Sequence, residues 1–134
     1  MRSPAHDTAL YLAGLAGFGA FGGSSGWPVY VGREPLEPVD VVTVYDTGGG
    51  PAVLIPDIRQ PSVQVRVRAD SYQDGWQKAN EAYQELAQPT GVSVNDAVIV
   101  TWVAQGDVQF IGRDDKDRPL FTSNWRLIRD GASP

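Results

Sequence analysis

Between Ser62 and Ala69 apolar and polar residues alternate, with Val63, Val65, Val67 and Ala69 on one face and Gln64, Arg66 and Arg68 on the other. A period of two predicts a half-buried strand with one polar face. The period then changes. Tyr72, Trp76, Ala79, Tyr83 and Leu86 recur at steps of four, three, four and three, which gathers them on one stripe of a helix over about 71–87. Ser71 stands at its N-cap, Asp74 lies in the amide-rich first turn, and Gln88-Pro89-Thr90-Gly91 stops it. The aromatic stripe should lie on the sheet. Val39–Asp46 is β-branched almost throughout and predicts a strand that runs into a flexible loop at Thr47-Gly48-Gly49-Gly50-Pro51.

Shorter signals complete the pattern. Pro28–Gly32 reads as an edge strand bounded by proline and glycine, and Glu34-Pro35-Leu36-Glu37-Pro38 excludes regular structure. Ala97–Ala104 is apolar on both faces and reads as the central strand. Leu120–Arg129 is the last strand, with Phe121, Trp125 and Leu127 inward and Thr122, Asn124 and Arg126 outward. An N-terminal helix over about 5–16 would bury Leu12, Leu15 and Phe18 before the glycine-rich turn Gly22–Gly26. The expected class is α+β: one domain over 1–134, with a mostly antiparallel or mixed sheet of four to five strands. The long amphipathic helix and the N-terminal helix pack on it, and the tail 130–134 is flexible.

Composition narrows the chemistry. A chain of 134 residues fits one domain. It has no cysteine and one histidine, which excludes disulfides, thiolate zinc sites, thiol nucleophiles and histidine metal cages. The net charge of −5 disfavours tight nucleic-acid binding by the whole surface. The apolar run Leu10–Phe21 is broken by glycines and far short of a bilayer span, and it lacks a basic start, so neither a membrane segment nor a signal peptide is expected.

No motif rises to a catalytic or metal site. The Thr47–Gly50 loop lacks the phosphate-binding lysine and following helix. Asp114, Asp115 and Asp117 fail the calcium-loop register, which places Pro119 and Trp125 where glycine and glutamate belong. His6 beside Asp7 has no nucleophile in an elbow context. Trp76, Tyr83, Trp102, Phe121 and Trp125 could stack bases or sugars but lie on inward faces, where core packing accounts for them better. No catalysis, metal or cofactor is therefore expected. Two polar features are left. Arg66, Arg68 and Arg126 share one side of the sheet, as a solvated face or a contact surface in equal measure. Arg113-Asp114-Asp115-Lys116-Asp117-Arg118 forms a charged, solvated loop with no core residue, so exchanging all six for Gly and Ser should leave the fold intact.

Several segments in fixed order carry a resemblance. They are Val42-Thr43-Val44-Tyr45-Asp46-Thr47-Gly48-Gly49, Pro61-Ser62-Val63-Gln64-Val65-Arg66-Val67-Arg68, the helix, Trp102-Val103-Ala104-Gln105-Gly106-Asp107, and Gly112-Arg113-Asp114-Asp115-Lys116-Asp117-Arg118-Pro119. Over roughly Leu10 to Arg129 the chain resembles tailed-bacteriophage minor capsid proteins, which are similar to tail terminators. The resemblance implies a structural virion protein and no enzyme: a hexameric ring that ends the tail tube at the head–tail junction. The implied partners are the tail tube protein and a head-side connector or stopper, with DNA passing through without sequence-specific binding. Such a protein is made in the host cytoplasm. A connector or stopper at the same joint, or a small ligand-binding domain or enzyme using the glycine loop and nearby acids, are the other readings. The expected contact residues are Arg113, Asp114, Asp115, Lys116, Asp117 and Arg118, then Arg66, Arg68 and Arg126.

Overall fold

A computed structural model describes residues 3–48, 61–87, 92–95 and 98–130. The elements are α1 (Pro4–Ala13), β1 (Val29–Val31), β2 (Val41–Asp46), β3 (Ser62–Arg68), α2 (Tyr72–Leu86), β4 (Val92–Asn95), β5 (Val98–Ala104), β6 (Gln109–Arg113) and β7 (Pro119–Asp130). The strands form one mixed sheet in the order β1-β2-β3-β7-β5-β4, with β6 also paired to β7. β1 runs parallel to β2 and every other pairing is antiparallel. The α+β class and the two helices are as expected. The sheet is larger than four to five strands, because β4 and β6 are too short and irregular to give a period. The expected loop at Gly49–Pro51, the helix stop at Gln88–Gly91 and the tail 131–134 lie outside the described residues.

Registers fix which side chains share a face. Val42 pairs with Val67 and Val44 with Val65 across β2 and β3, and Val67 pairs with Phe121 and Val63 with Trp125 across β3 and β7. These side chains, with Val29, Val100, Trp102 and Leu127, are buried against the helices. α1 starts at Pro4 behind Ser3, whose hydroxyl accepts from the His6 N–H. Its first turn docks on β2, where the Ala5 N–H donates to Asp46 Oδ1 at 2.9 Å. Its middle docks on β5 through Trp102 Nε1, which donates to Thr8 Oγ1 at 2.8 Å.

Two expectations change. β5 lies beside the edge strand β4 instead of at the centre. Val100 and Trp102 point to the helices, while Thr101 and Val103 are half-buried on the far face. The strand shared most widely is β7, whose length lets β3 take one edge while β5 and β6 lie end to end on the other. Finally, α2 buries only part of its expected stripe: Ala79 and Leu86 are buried and Tyr83 packs on Trp125, but Tyr72 and Trp76 reach solvent. Its buried row is Gly75, Ala79, Ala82 and Leu86, and Tyr72 and Trp76 are 46% and 38% exposed. The cause is Phe121. A Cβ on Gly75 would stand 2.5 Å from Phe121 Cε1, so only glycine lets the helix backbone close over that ring.

Candidate interface surfaces

The far face of the sheet holds the arginines. Antiparallel pairing puts Arg66 and Arg68 of β3 on the same side as Thr122, Asn124 and Arg126 of β7, with Ser62 opposite Arg126. Four residues separate Ser62 from Arg66, about 13 Å of strand, so Arg66 and Arg126 stand apart. Over the β1-proximal part of this face runs the irregular segment 32–40, which joins the parallel strands β1 and β2. Arg68 is the reason it lies there. Its Nε donates to Val39 O at 3.0 Å, its Nη2 to Pro38 O at 2.7 Å and Leu36 O at 3.3 Å, and its Nη1 stands 3.4 Å from Glu34. Only 2% of Arg68 is exposed. Burial pushes its guanidinium below the ordinary range and Glu34 pulls it back, and a group so basic stays charged. The expectation of an exposed Arg68 is therefore corrected: it ties segment 32–40 to the sheet. Arg66 stands 3.4 Å from the same Glu34 carboxylate and keeps part of its side chain in solvent. Burial first, then Glu34, raises the Tyr45 hydroxyl beside them. Arg126 is half-buried, and its Nε has no hydrogen-bond partner.

The charged loop is the turn of the β6–β7 hairpin, closed where Arg113 pairs with Pro119. Asp114 organises it. Its carboxylate accepts from the Lys116 N–H at 3.0 Å, the Arg118 N–H at 2.9 Å and Arg118 Nε at 2.8 Å. Burial pushes this carboxyl up, but the Arg118 and Lys116 donors outweigh it and hold the group below the usual carboxylate range. Arg118 is buried, and its Nη1 donates to Leu36 O at 3.0 Å, the same carbonyl that Arg68 reaches. The turn is thus fastened to segment 32–40, and exchanging all six residues would cut those bonds; the expectation of a fold-neutral exchange does not hold. Arg113, Asp115, Lys116 and Asp117 are exposed.

Two features escaped the sequence reading. Lys78 of α2 donates to Gly17 O and to Glu81, and its Nζ lies 4.8 Å and 5.5 Å from the ring centroids of Phe18 and Trp27. It anchors the glycine-rich segment to the helix at one wall of an open polar cleft of about 350 Å³ lined by Trp27, Asp40, Asp74, Gln77, Lys78 and Glu81. The second is an exposed patch of Tyr72, Trp76 and Phe110 around the buried Phe121. Its signal was present in the stripe of α2, and only the burial of Gly75 shows that Tyr72 and Trp76 at the start of that stripe reach solvent.

None of this assembles a reaction centre. His6 stacks on Phe21, with ring centroids 5.2 Å apart, while Asp7 is buried. Among the described residues no three His, Asp or Glu side chains converge on a cation site, and no helix is long and apolar enough to cross a membrane. No curated protein matches the chain significantly. The family model for the bacteriophage tail terminator protein matches residues 11–130, a span that takes in the end of α1, all of α2, the described strands, segment 32–40 and the charged hairpin. The chain belongs to the bacteriophage tail terminator family and is a structural component of the phage virion.

Proposed function

We propose that six copies of the chain close into a ring that ends the tail tube and joins it to the head. The family match over residues 11–130 carries this reading. Geometry supports six copies. A compact chain of this length has a radius of gyration of about 14 Å and an equivalent diameter of about 36 Å. Six such bodies leave an opening of about 36 Å, enough for a duplex about 20 Å wide, whereas four leave about 15 Å. The net charge of −5 suits a pore through which DNA slides without adhering. The tail tube protein and a head-side connector or stopper are the partners.

In this reading the contact residues divide by their burial. Arg113, Asp115, Lys116 and Asp117 at the hairpin tip meet the neighbouring subunit or the tail tube, with Arg66 and Arg126 as the second set. Asp114, Arg118 and Arg68 hold these contacts in place from inside. Each exposed pair contributes at most about 1 kcal/mol, and repetition around a ring makes the sum effective. Exchanging Arg113, Asp115, Lys116 and Asp117 for Ser keeps every bond of Asp114 and Arg118. The variant should fold normally and join tails poorly in an electron-microscopy assembly assay. Normal joining would reduce the hairpin to a turn.

A further inference from the structure

Segment 32–40 is held to the far face of the sheet by polar bonds, and one buried polar side chain of that face takes no part in them. Thr43 is 0% exposed, and its Oγ1 has no hydrogen-bond partner among the described residues. Its place follows from the strand registers. Val42 and Val44 face the helices, so Thr43 faces the other way, directly across from Arg66 of β3. Residues opposed in this manner have Cβ atoms about 4.5–5.5 Å apart. Arg66 Nε in turn stands 3.4 Å from Glu34 Oε2. Both atoms are shielded from solvent, and neither makes a hydrogen bond with the described residues. A hydroxyl of β2, a guanidinium N–H of β3 and a carboxylate oxygen of segment 32–40 are thus gathered in one place. Folded proteins satisfy nearly all such buried groups, with protein partners or with ordered water.

The chemistry of the three atoms selects their partner. A cation would meet Arg66, and also Arg68, which stands 3.4 Å from the other oxygen of Glu34. An anion would meet the Glu34 carboxylate, whose oxygens only accept. An apolar group would satisfy none of the three. What fits is small and neutral, donates to Oε2 and accepts from Nε. Water does both, and it has a bond left for the Thr43 hydroxyl, which can donate or accept. The spacing agrees: atoms 3.4 Å apart can both lie within about 3 Å of one oxygen.

We infer that one buried water molecule is a fixed part of this fold, bridging Thr43 Oγ1, Glu34 Oε2 and Arg66 Nε. Arg68 holds the second half of segment 32–40 through the carbonyls of Leu36, Pro38 and Val39. The water holds Glu34, near the start of the segment, to β2. Since Leu36 O also receives Arg118, the water belongs to the polar seam that positions the charged hairpin. Thr43→Val tests the site, because the two side chains share a shape and the outcome differs in sign. A hydroxyl bonded to water is lost at a cost, and the unfolding equilibrium should shift about fivefold toward the unfolded chain in a urea titration. Removing an unbonded hydroxyl favours the folded chain, so equal or higher stability overturns the inference. Oxygen-17 magnetic relaxation dispersion counts the waters held inside the protein. The wild type should hold one more long-lived water than Thr43→Val, and Thr43→Ser, which keeps the hydroxyl, should match the wild type; equal counts in wild type and Thr43→Val overturn the inference. A crystal structure of the wild type should place a water oxygen within about 3.2 Å of all three atoms. Thr43 Oγ1 bonded to a main-chain carbonyl there, or an ion in the water's place, overturns it.

Discussion

At the scale of single residues, two positions carry more than their size suggests. Gly75 sits in the interior of α2, where alanine would improve helix propensity by about 1 kcal/mol. Overpacking a full site costs about 1–3 kcal/mol, and the rigid ring of Phe121 beneath it cannot swing aside as a flexible side chain could. Gly75→Ala should therefore destabilise the protein by up to about 2 kcal/mol in a urea titration. Higher stability would show that helix and sheet separate easily. Arg68 is the second position. Removing its side chain takes the donor from the Val39 and Pro38 carbonyls, leaves Leu36 O to Arg118 alone and leaves the Glu34 carboxylate to the more exposed Arg66. Breaking a buried pair costs about 3–5 kcal/mol, so Arg68→Ala should lose that much by denaturant unfolding. Arg66→Ala, at a more exposed site sharing the same carboxylate, should lose about 1 kcal/mol or less. The alternation in β3 put both arginines on one face and gave no hint of this difference. What separates them is segment 32–40, which covers one and leaves the other at its rim.

At the scale of elements, the β6–β7 hairpin responds to acid through Asp114. Its folded pKa lies below the ordinary value. The stability it contributes is therefore fully present above the unfolded carboxylate pKa near 3.9 and is lost as pH falls through the lower folded value. Amide exchange in residues 113–119 should accelerate below about pH 4 before exchange in β3 does. Asp114→Asn should weaken protection of the hairpin already at neutral pH, by about 1–3 kcal/mol of lost charged hydrogen bonds, and flatten its acid response. A hairpin protected equally at pH 3 and pH 7 would contradict this. The outer pair Arg113–Asp117, at 3.7 Å and largely exposed, should add little, and high salt should not loosen the turn.

At the scale of the whole molecule, the family places the chain in the virion, and the proposed ring is a matter of assembly. Native mass spectrometry should find a species of about 87 kDa, six times the 14.5 kDa subunit. A stable trimer or tetramer would be incompatible with a pore for duplex DNA. The ring needs a head-to-tail interface between two different surfaces of the subunit. The two faces of the sheet differ enough to supply such surfaces: helices and an aromatic patch on one side, segment 32–40 and the arginines on the other.

The sequence by itself determined the two helices, the four main strands and the inward valines of β2 and β3, because these follow from local period, caps and breakers. It also determined that the charged residues 113–118 form a turn. Tertiary structure alone decided which parts of those elements meet water. The partner of a polar face lies far along the chain, as Leu36 does from Arg118 and Val39 from Arg68, and no local period records it. Nor does hydrophobicity rank glycine above tryptophan as a contact surface. Close approach to Phe121 does, and it turned Tyr72 and Trp76 outward.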